Sequence, residues 1–270
     1  MTAAAPVAPL GRPAGGWRPR DCHAHSTWSD GELTPAELLA KAESLGVLPS
    51  VTDHASGAVA AGPRSIGALG RYLDDLETLP VARGAEFCWH DALWRELPDD
   101  LVRRFTHRVG SLHGVHLPNG RLVHAFQSSL PSGLVADAYM DAHVAALERF
   151  AREMPVDLLA HPTLLPIPFR RLPLEELWTE AREERAVEAL LAAGIAFEVS
   201  ARYRPHERFV RRAAERGVRL SLGSDGHSRA QVADLSWPLA LTRSLGVPDA
   251  ALYDPLVHGS RTGFLDGAAA

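Results

Sequence analysis

Only two of the 270 residues are cysteine, Cys22 and Cys88, too few for a disulfide framework and without the close spacing of a zinc knuckle. A reducing, cytoplasmic setting is the simpler expectation. No stretch approaches the 18 consecutive apolar residues of a transmembrane helix, so a membrane-spanning helix is excluded by length. The chain also lacks a glycine-rich dinucleotide fingerprint after its first strand, a Gly-rich Lys-Ser/Thr phosphate loop and a Gly-x-Ser-x-Gly nucleophile elbow. With them go the usual marks of nucleotide-cofactor enzymes and serine hydrolases. Positive charge is in deficit: 28 Lys and Arg against 33 Asp and Glu leave a net charge of -5. That balance argues against affinity built on neutralising nucleic-acid phosphates.

What is present in excess is histidine. Thirteen His outnumber eight Phe and four Tyr, and histidine is the commonest metal ligand as well as the side chain that titrates near neutrality. With 46% hydrophobic residues, a chain of this size can bury roughly 70 to 75% of its unfolded surface. A metal is therefore not needed to hold it together, and any metal site is expected to be functional. Residues 1–18, rich in Pro and Gly and without the pattern of a secretory signal, read as a flexible tail, as do residues 261–270.

Between these tails, 19–260 reads as one domain in which short apolar runs alternate with segments of helical period. The runs predict seven strands, at 19–23, 48–53, 81–86, 108–113, 156–161, 195–200 and 218–224. Helices are predicted from Thr34 to near Gly46, over 65–79, 136–153, 174–193 and 205–216, and from about 229 to 245. Thr34, Pro35 and Glu37 supply an N-cap, a first-turn proline and a capping-box carboxylate, and Gly194 and Gly217 supply stops. Such alternation implies parallel pairing through right-handed crossovers, hence an α/β barrel or a doubly wound sheet.

Residues at the C-terminal ends of the predicted strands carry the strongest signal, because catalytic groups converge on this edge in such folds. The first strand leads into Asp21-Cys22-His23-Ala24-His25, with Asp30 following. His23 and His25 alternate with Cys22, so they share a side while Cys22 packs behind. The next ends carry Asp53-His54, Glu86, His113 and His161, and the seventh carries Asp225-Gly226-His227. Cys88 reads as a small buried hydrophobe. His107, His124, His143 and His258 read as surface residues, whereas His90, His116 and His206 follow strand ends closely enough to reach a pocket. Trp28, Trp89 and His116 are candidates for its wall.

The strings His23-Ala24-His25, Asp30-Gly31, Thr52-Asp53-His54, Glu86, Gly110-Ser111-Leu112-His113, His161-Pro162 and Ser224-Asp225-Gly226-His227 resemble the PHP superfamily, the polymerase and histidinol phosphatase metallohydrolases. Their spacing is most similar to the histidinol phosphate phosphatase branch. The chain departs from the family at Ala55, Gly226 and Ser200, which leaves all nine ligand positions intact. The resemblance implies a distorted seven-stranded (β/α)7 barrel with two or three divalent ions. His23, His25, Glu86 and Asp225 would hold the first, Glu86 with His113 and His161 the second, and Asp30, His54 and His227 the third. Imidazoles and carboxylates without thiolate suit zinc, manganese or iron. Two such ions can bridge a hydroxide and clamp both oxygens of an in-line displacement at phosphorus.

The sixth strand end carries no ligand and reads Ser200-Ala201-Arg202-Tyr203-Arg204-Pro205-His206. Arg202 or Arg204 is expected to clamp phosphate, since the guanidinium fork matches phosphate oxygens bidentately. Asp53, His206 or a water on the metal would protonate the leaving group. The expected activity is hydrolysis of a small phosphate monoester, histidinol phosphate or another phosphorylated metabolite. The alternatives are a phosphodiesterase or 3′–5′ exonuclease of the same superfamily and a non-catalytic metal-binding module. Nothing in the sequence assigns an oligomeric state.

Overall fold

In the computed structural model, residues 16–59 and 61–260 are described, and most of both expected tails lies outside them. The strands are β1 (Arg20–Asp21), β2 (Leu48–Val51), β3 (His54–Ala55), β4 (Ala82–Arg83), β5 (Glu86–Cys88), β6 (Val109–Ser111), β7 (Gly114–His116), β8 (Leu122–His124), β9 (Leu158–Leu159), β10 (Ala196–Ser200) and β11 (Leu220–Gly223). The helices are α1 (Pro35–Ser44), α2 (Ile66–Leu76), α3 (Asp99–Val102), α4 (Ala136–Glu153), α5 (Leu174–Leu177), α6 (Glu180–Ala193), α7 (Glu207–Glu215), α8 (Ser236–Ser244) and α9 (Pro255–His258). The architecture is α/β, with parallel ladders in the orders β1-β2-β4 and β11-β10-β9-β6-β5-β3.

The seven predicted strands are thus replaced by shorter pieces, and the ladders do not close into a barrel. The predicted second strand ends early as β2, with the separate β3 just past its predicted end, the third divides into β4 and β5, and the reason is local. Tyr72 of α2 inserts its hydroxyl at the break, donating to Gly84 O at 2.8 Å and accepting from Asp53 N at 3.2 Å. Gly84 has no room for a side chain, since a Cβ would lie 2.6 Å from Thr52 Cγ2 and 2.8 Å from the His107 ring. Between the first and last strands there is no ladder but a row of bonds. Cys22 N donates to Leu222 O, Asp225 N to His23 O and His25 N to Gly226 O, at 2.8 to 3.0 Å, and one parallel bridge pairs Ala24 with Gly226.

Helix starts follow the sequence signals. Thr34 and Glu37 form the capping box at α1, and Gly194 ends α6 in the left-handed region at φ 65°. Two helices differ from expectation. The segment 174–193 splits at Trp178 because Thr179 caps a new start by accepting from Arg182 N. The last helix begins at Ser236 rather than near 229. Ala233 sits at φ 61° with its N–H given to Asp21, a conformation no helix can pass through. An antiparallel hairpin, β7 with β8, was not expected and follows the turn Pro118-Asn119-Gly120. Helix faces such as Leu69, Tyr72, Leu73 and Leu76 of α2 bury against the strands, in a core that also holds Phe87, Phe150, Phe197 and Trp178.

Candidate metal centre

The side chains singled out at the strand ends come together. Alternation along the chain after β1 puts His23 and His25 on one side with their Nε2 atoms 3.1 Å apart, while the buried Cys22 thiol lies behind them, 3.7 Å from Tyr253 O. Glu86, at the start of β5, is fully buried at the centre. Its Oε1 is 3.0 Å from His161 Nε2 and 3.2 Å from His113 Nε2. Its Oε2 is 2.7 Å from His54 Nδ1, 3.6 Å from His23 Nε2 and 3.7 Å from His25 Nε2. Asp225 Oδ1 stands 3.3 Å from His25 Nε2, and Asp30 Oδ1 stands 3.4 Å from His227 Nε2 and 3.6 Å from His54 Nε2.

Three sets have all their donor atoms within 4.8 Å of one another: His25, Asp30, His54 and His227; His23, His25 and Asp225; and His54, Glu86 and His113. His161 joins through its 3.3 Å approach to His113. The grouping differs slightly from the one implied by resemblance, since His25 also reaches the Asp30 set and His54 also reaches Glu86.

The chemistry of this donor set fits divalent cations. Burial first, then the neighbouring imidazoles, holds His25 well below the usual histidine range, and burial likewise lowers His113; at His23 burial is outweighed by Glu198 and Glu86, and at His54 by Glu86, Asp30 and Asp225, so both of these are raised. Burial opposes ionisation of Glu86, yet His113, His54, His161 and His23 outweigh it and keep the carboxylate charged. His54 Nδ1 and Glu86 Oε2 are buried and make no well-formed hydrogen bond. Six imidazoles and three carboxylates crowded at these distances make a donor set that shared cations would satisfy, and nitrogen with carboxylate oxygen suits zinc, manganese or iron.

A supporting layer fixes these groups. Glu198 in β10, fully buried, accepts from His23 Nδ1 at 2.8 Å and from the His161 backbone N–H at 2.5 Å. It was not expected to matter, because the sixth strand end displays no ligand. The signal was a glutamate in an otherwise apolar buried run. Asp21 accepts from the N–H groups of His23, Ser224 and Ala233 and from Ser224 Oγ at 2.6 Å. His161 and Asp225 adopt positive φ, 31° and 48°, which for residues other than glycine costs on the order of 1–3 kcal/mol each. Their N–H groups are held by Glu198 and by His23 O.

Asp53 belongs to the same layer rather than to the reacting face. Its carboxylate accepts from Ser26 N at 2.8 Å, Ser26 Oγ at 2.6 Å and Ser29 Oγ at 2.6 Å, which fixes the loop that presents Asp30. Gly31 completes that loop, where a Cβ would lie 2.3 Å from His25 O.

The cluster opens into a cavity of about 300 Å³ whose further walls are Ala58, Val59, His124, Phe126, Arg202 and Tyr203. Arg202 is where expected, with Nη1 2.6 Å from His227 Nδ1. Arg204 is not: its guanidinium donates to Ala201 O and lies over the Trp237 ring. His206 also points elsewhere, 3.1 Å from the buried Glu183 carboxylate. A position just past a strand end does not fix the direction of a side chain, and α7 begins directly after His206. Trp28 bonds to Asp75, and Trp89, His90 and His116 line a separate hollow with Arg95 and Arg149, so none of the four lines this cavity. His124 does line it, and His107 and His143 are buried rather than superficial. Cys88 is buried as expected, but its thiol contacts His113 Nδ1 at 3.2 Å.

No protein-family model matches the chain, and no curated protein matches it by sequence. Among solved structures, a histidinol phosphate phosphatase from Lactococcus lactis, determined with zinc, L-histidinol and phosphate, superposes with a TM-score of 0.68. The match covers 91% of this chain and 98% of that one at 14% sequence identity. The likeness read from the sequence motifs therefore extends to the fold, and the clustered His, Asp and Glu side chains accompany it.

Proposed function

We propose that residues 19–260 form a metal-dependent phosphomonoesterase acting on a small phosphorylated metabolite. The observation that carries this reading is the convergence of nine imidazole and carboxylate side chains, seven of which line one cavity of about 300 Å³ together with Arg202. His23, His25, Glu86 and Asp225 would hold one ion, Glu86 with His113 and His161 a second, and Asp30, His54 and His227 a third. Zinc is favoured by the neighbour, and manganese and iron share its donor preference. Bound divalent cations supply Lewis acidity, which lowers the pKa of water and offsets charge on phosphoryl oxygens.

The chain's own groups would do the rest. Glu198 holds a proton on His23 Nδ1, which aims the Nε2 lone pair inward. Arg202 lies beside His227 at the cavity wall, where its fork can bind two phosphoryl oxygens. Val59, Phe126 and Tyr203 give the remaining side an apolar and aromatic lining.

The test is metal analysis of the purified protein, followed by phosphate release from a panel of monoesters that includes L-histidinol phosphate, with a dinucleotide as the diester arm. The expected result is metal-dependent release from monoesters, abolished by chelation and by His23→Ala in a folded protein. Full activity after complete metal removal, or diester cleavage alone, would overturn the reading.

A further inference from the structure

The part of the cavity that does not belong to the ligand cluster has a consistent chemistry. Phe126 packs its ring 5.4 Å from that of His113, and Tyr203 stands edge-on to His161 at 5.5 Å, so two aromatic rings bracket this imidazole pair. His124 lies against Phe126 at 5.7 Å, and Ala58 and Val59 add small apolar side chains. Phe126 is 44% exposed, a large apolar surface left open at the cavity. Arg170 sits against both rings, 5.4 Å from Phe126 and 5.5 Å from Tyr203, fixed by the carbonyls of Leu165 at 2.7 Å and Ala125 at 2.9 Å.

These positions bear on the leaving group. The rings would receive a flat apolar group by stacking, at a geometry already set by packing. They would not serve an ammonium equally well. Arg170 already occupies their cation–π capacity, and Arg202 adds a second positive charge to the wall. Among the described residues, the carboxylates lining the cavity are Asp30, Glu86 and Asp225, all within the cluster. An ammonium brought to this wall would stand beside two guanidinium groups with no carboxylate of its own. The volume, about 300 Å³, lies at the low end for ligand pockets and admits a single ring beside the phosphoryl group.

Resting on the phosphomonoesterase reading above, we propose that the substrate is the phosphate ester of a small uncharged aromatic alcohol or phenol, selected by Phe126 and Tyr203 and screened against amines by Arg170 and Arg202. The test compares kcat/KM of the metal-loaded enzyme for benzyl phosphate, 4-(aminomethyl)benzyl phosphate and glycerol 3-phosphate. Benzyl phosphate is expected to exceed each of the others by about tenfold or more. Phe126→Ala and Tyr203→Ala are expected to shrink the ratio of benzyl to glycerol phosphate, with Phe126→Leu and Tyr203→Leu replacing any variant that fails to fold. Phosphate release from all three esters with the aminomethyl or glycerol ester equal to or better than benzyl would overturn the aromatic assignment and leave the monoesterase reading standing. Release from none of them by loaded, folded enzyme would overturn both.

Discussion

Replacing Glu198 by Gln changes no volume and removes one acceptor from a place that has two donors. In the native protein, Oε1 takes the His23 Nδ1 proton at 2.8 Å and Oε2 takes the His161 N–H at 2.5 Å, with all three groups buried. The amide offers one oxygen and one NH2. If the oxygen serves His161, the NH2 faces His23 Nδ1 and drives its proton to Nε2, the nitrogen that faces His25. If the oxygen serves His23, two N–H donors confront each other at His161. The first arrangement puts a proton on the nitrogen a cation would need, and the second leaves a buried N–H without a partner, at about 1–3 kcal/mol. For a domain of this size that corresponds to a fall in Tm of roughly 2–10 °C in metal-free protein. Zinc affinity, measured by titration against a competing chelator, should fall about 10–100-fold, as for other groups that orient metal-binding histidines. Gly223→Ala should reproduce part of this loss, because a Cβ there would collide with Glu198 Oε1. A Glu198→Gln protein with unchanged Tm and unchanged zinc affinity would refute the reasoning.

Three further outcomes are expected. Arg202→Ala should lower kcat/KM for phosphate monoesters about 10–100-fold, the scale of a lost charged hydrogen bond, with metal content unchanged; Arg204→Ala should stay within about twofold, and steady-state kinetics with metal analysis separates them. Asp53→Asn should lower Tm by loosening the Ser26–Ser29 loop while leaving the alkaline limb of the pH–rate profile in place, since its carboxylate is engaged by Ser26 and Ser29 and does not line the cavity. His107 and His143 are fully buried, and burial lowers each from 6.5 to about 4. The folded state therefore binds fewer protons than the unfolded one between these values, so stability is complete above about pH 6.5 and is lost as pH falls toward 4. At 1.36 kcal/mol per unit the loss is about 3 kcal/mol for each residue. Urea unfolding at pH 7 and pH 4.5 should register this, and His143→Phe should reduce the difference.

Much of the fold was written locally in the chain. The Thr34-Pro35-Glu37 signal forms its capping box, Gly194 adopts its left-handed stop, and α4 spans Ala136–Glu153 as its periodicity predicts. Alternation at His23 and His25, and the placing of six histidines on strand ends, brought the ligand candidates together. What was not legible depends on contacts made across long sequence distances. The interruption between β2 and β3 is set by Tyr72, and the late start of α8 by the bond from Ala233 N to Asp21. Glu198 was passed over because its role is to hold His23, 175 residues away, rather than to face the cavity itself. Arg204 and His206 follow a strand end as Arg202 does, yet backbone direction after Ser200 turns them to Trp237 and Glu183. Residue type at a strand end thus located the cluster, whereas side-chain direction decided which neighbours share it.

The joint between the first and last strands has a consequence for how the centre comes into being. Asp21 and Ser224, bonded across 203 residues, meet only when the two ends of the sheet are in place, and His23, His25, Asp225 and His227 stand on either side of that joint. During synthesis a chain that has emerged as far as α7 already holds His54, Glu86, His113 and His161, but not the partners that arrive with β11. Assembly of the complete donor set is therefore a late event, coupled to a pairing that spans 203 residues, and such non-local contacts form slowly. A growing chain would meet cellular metal first with a partial set and acquire its full complement only as the last strand docks.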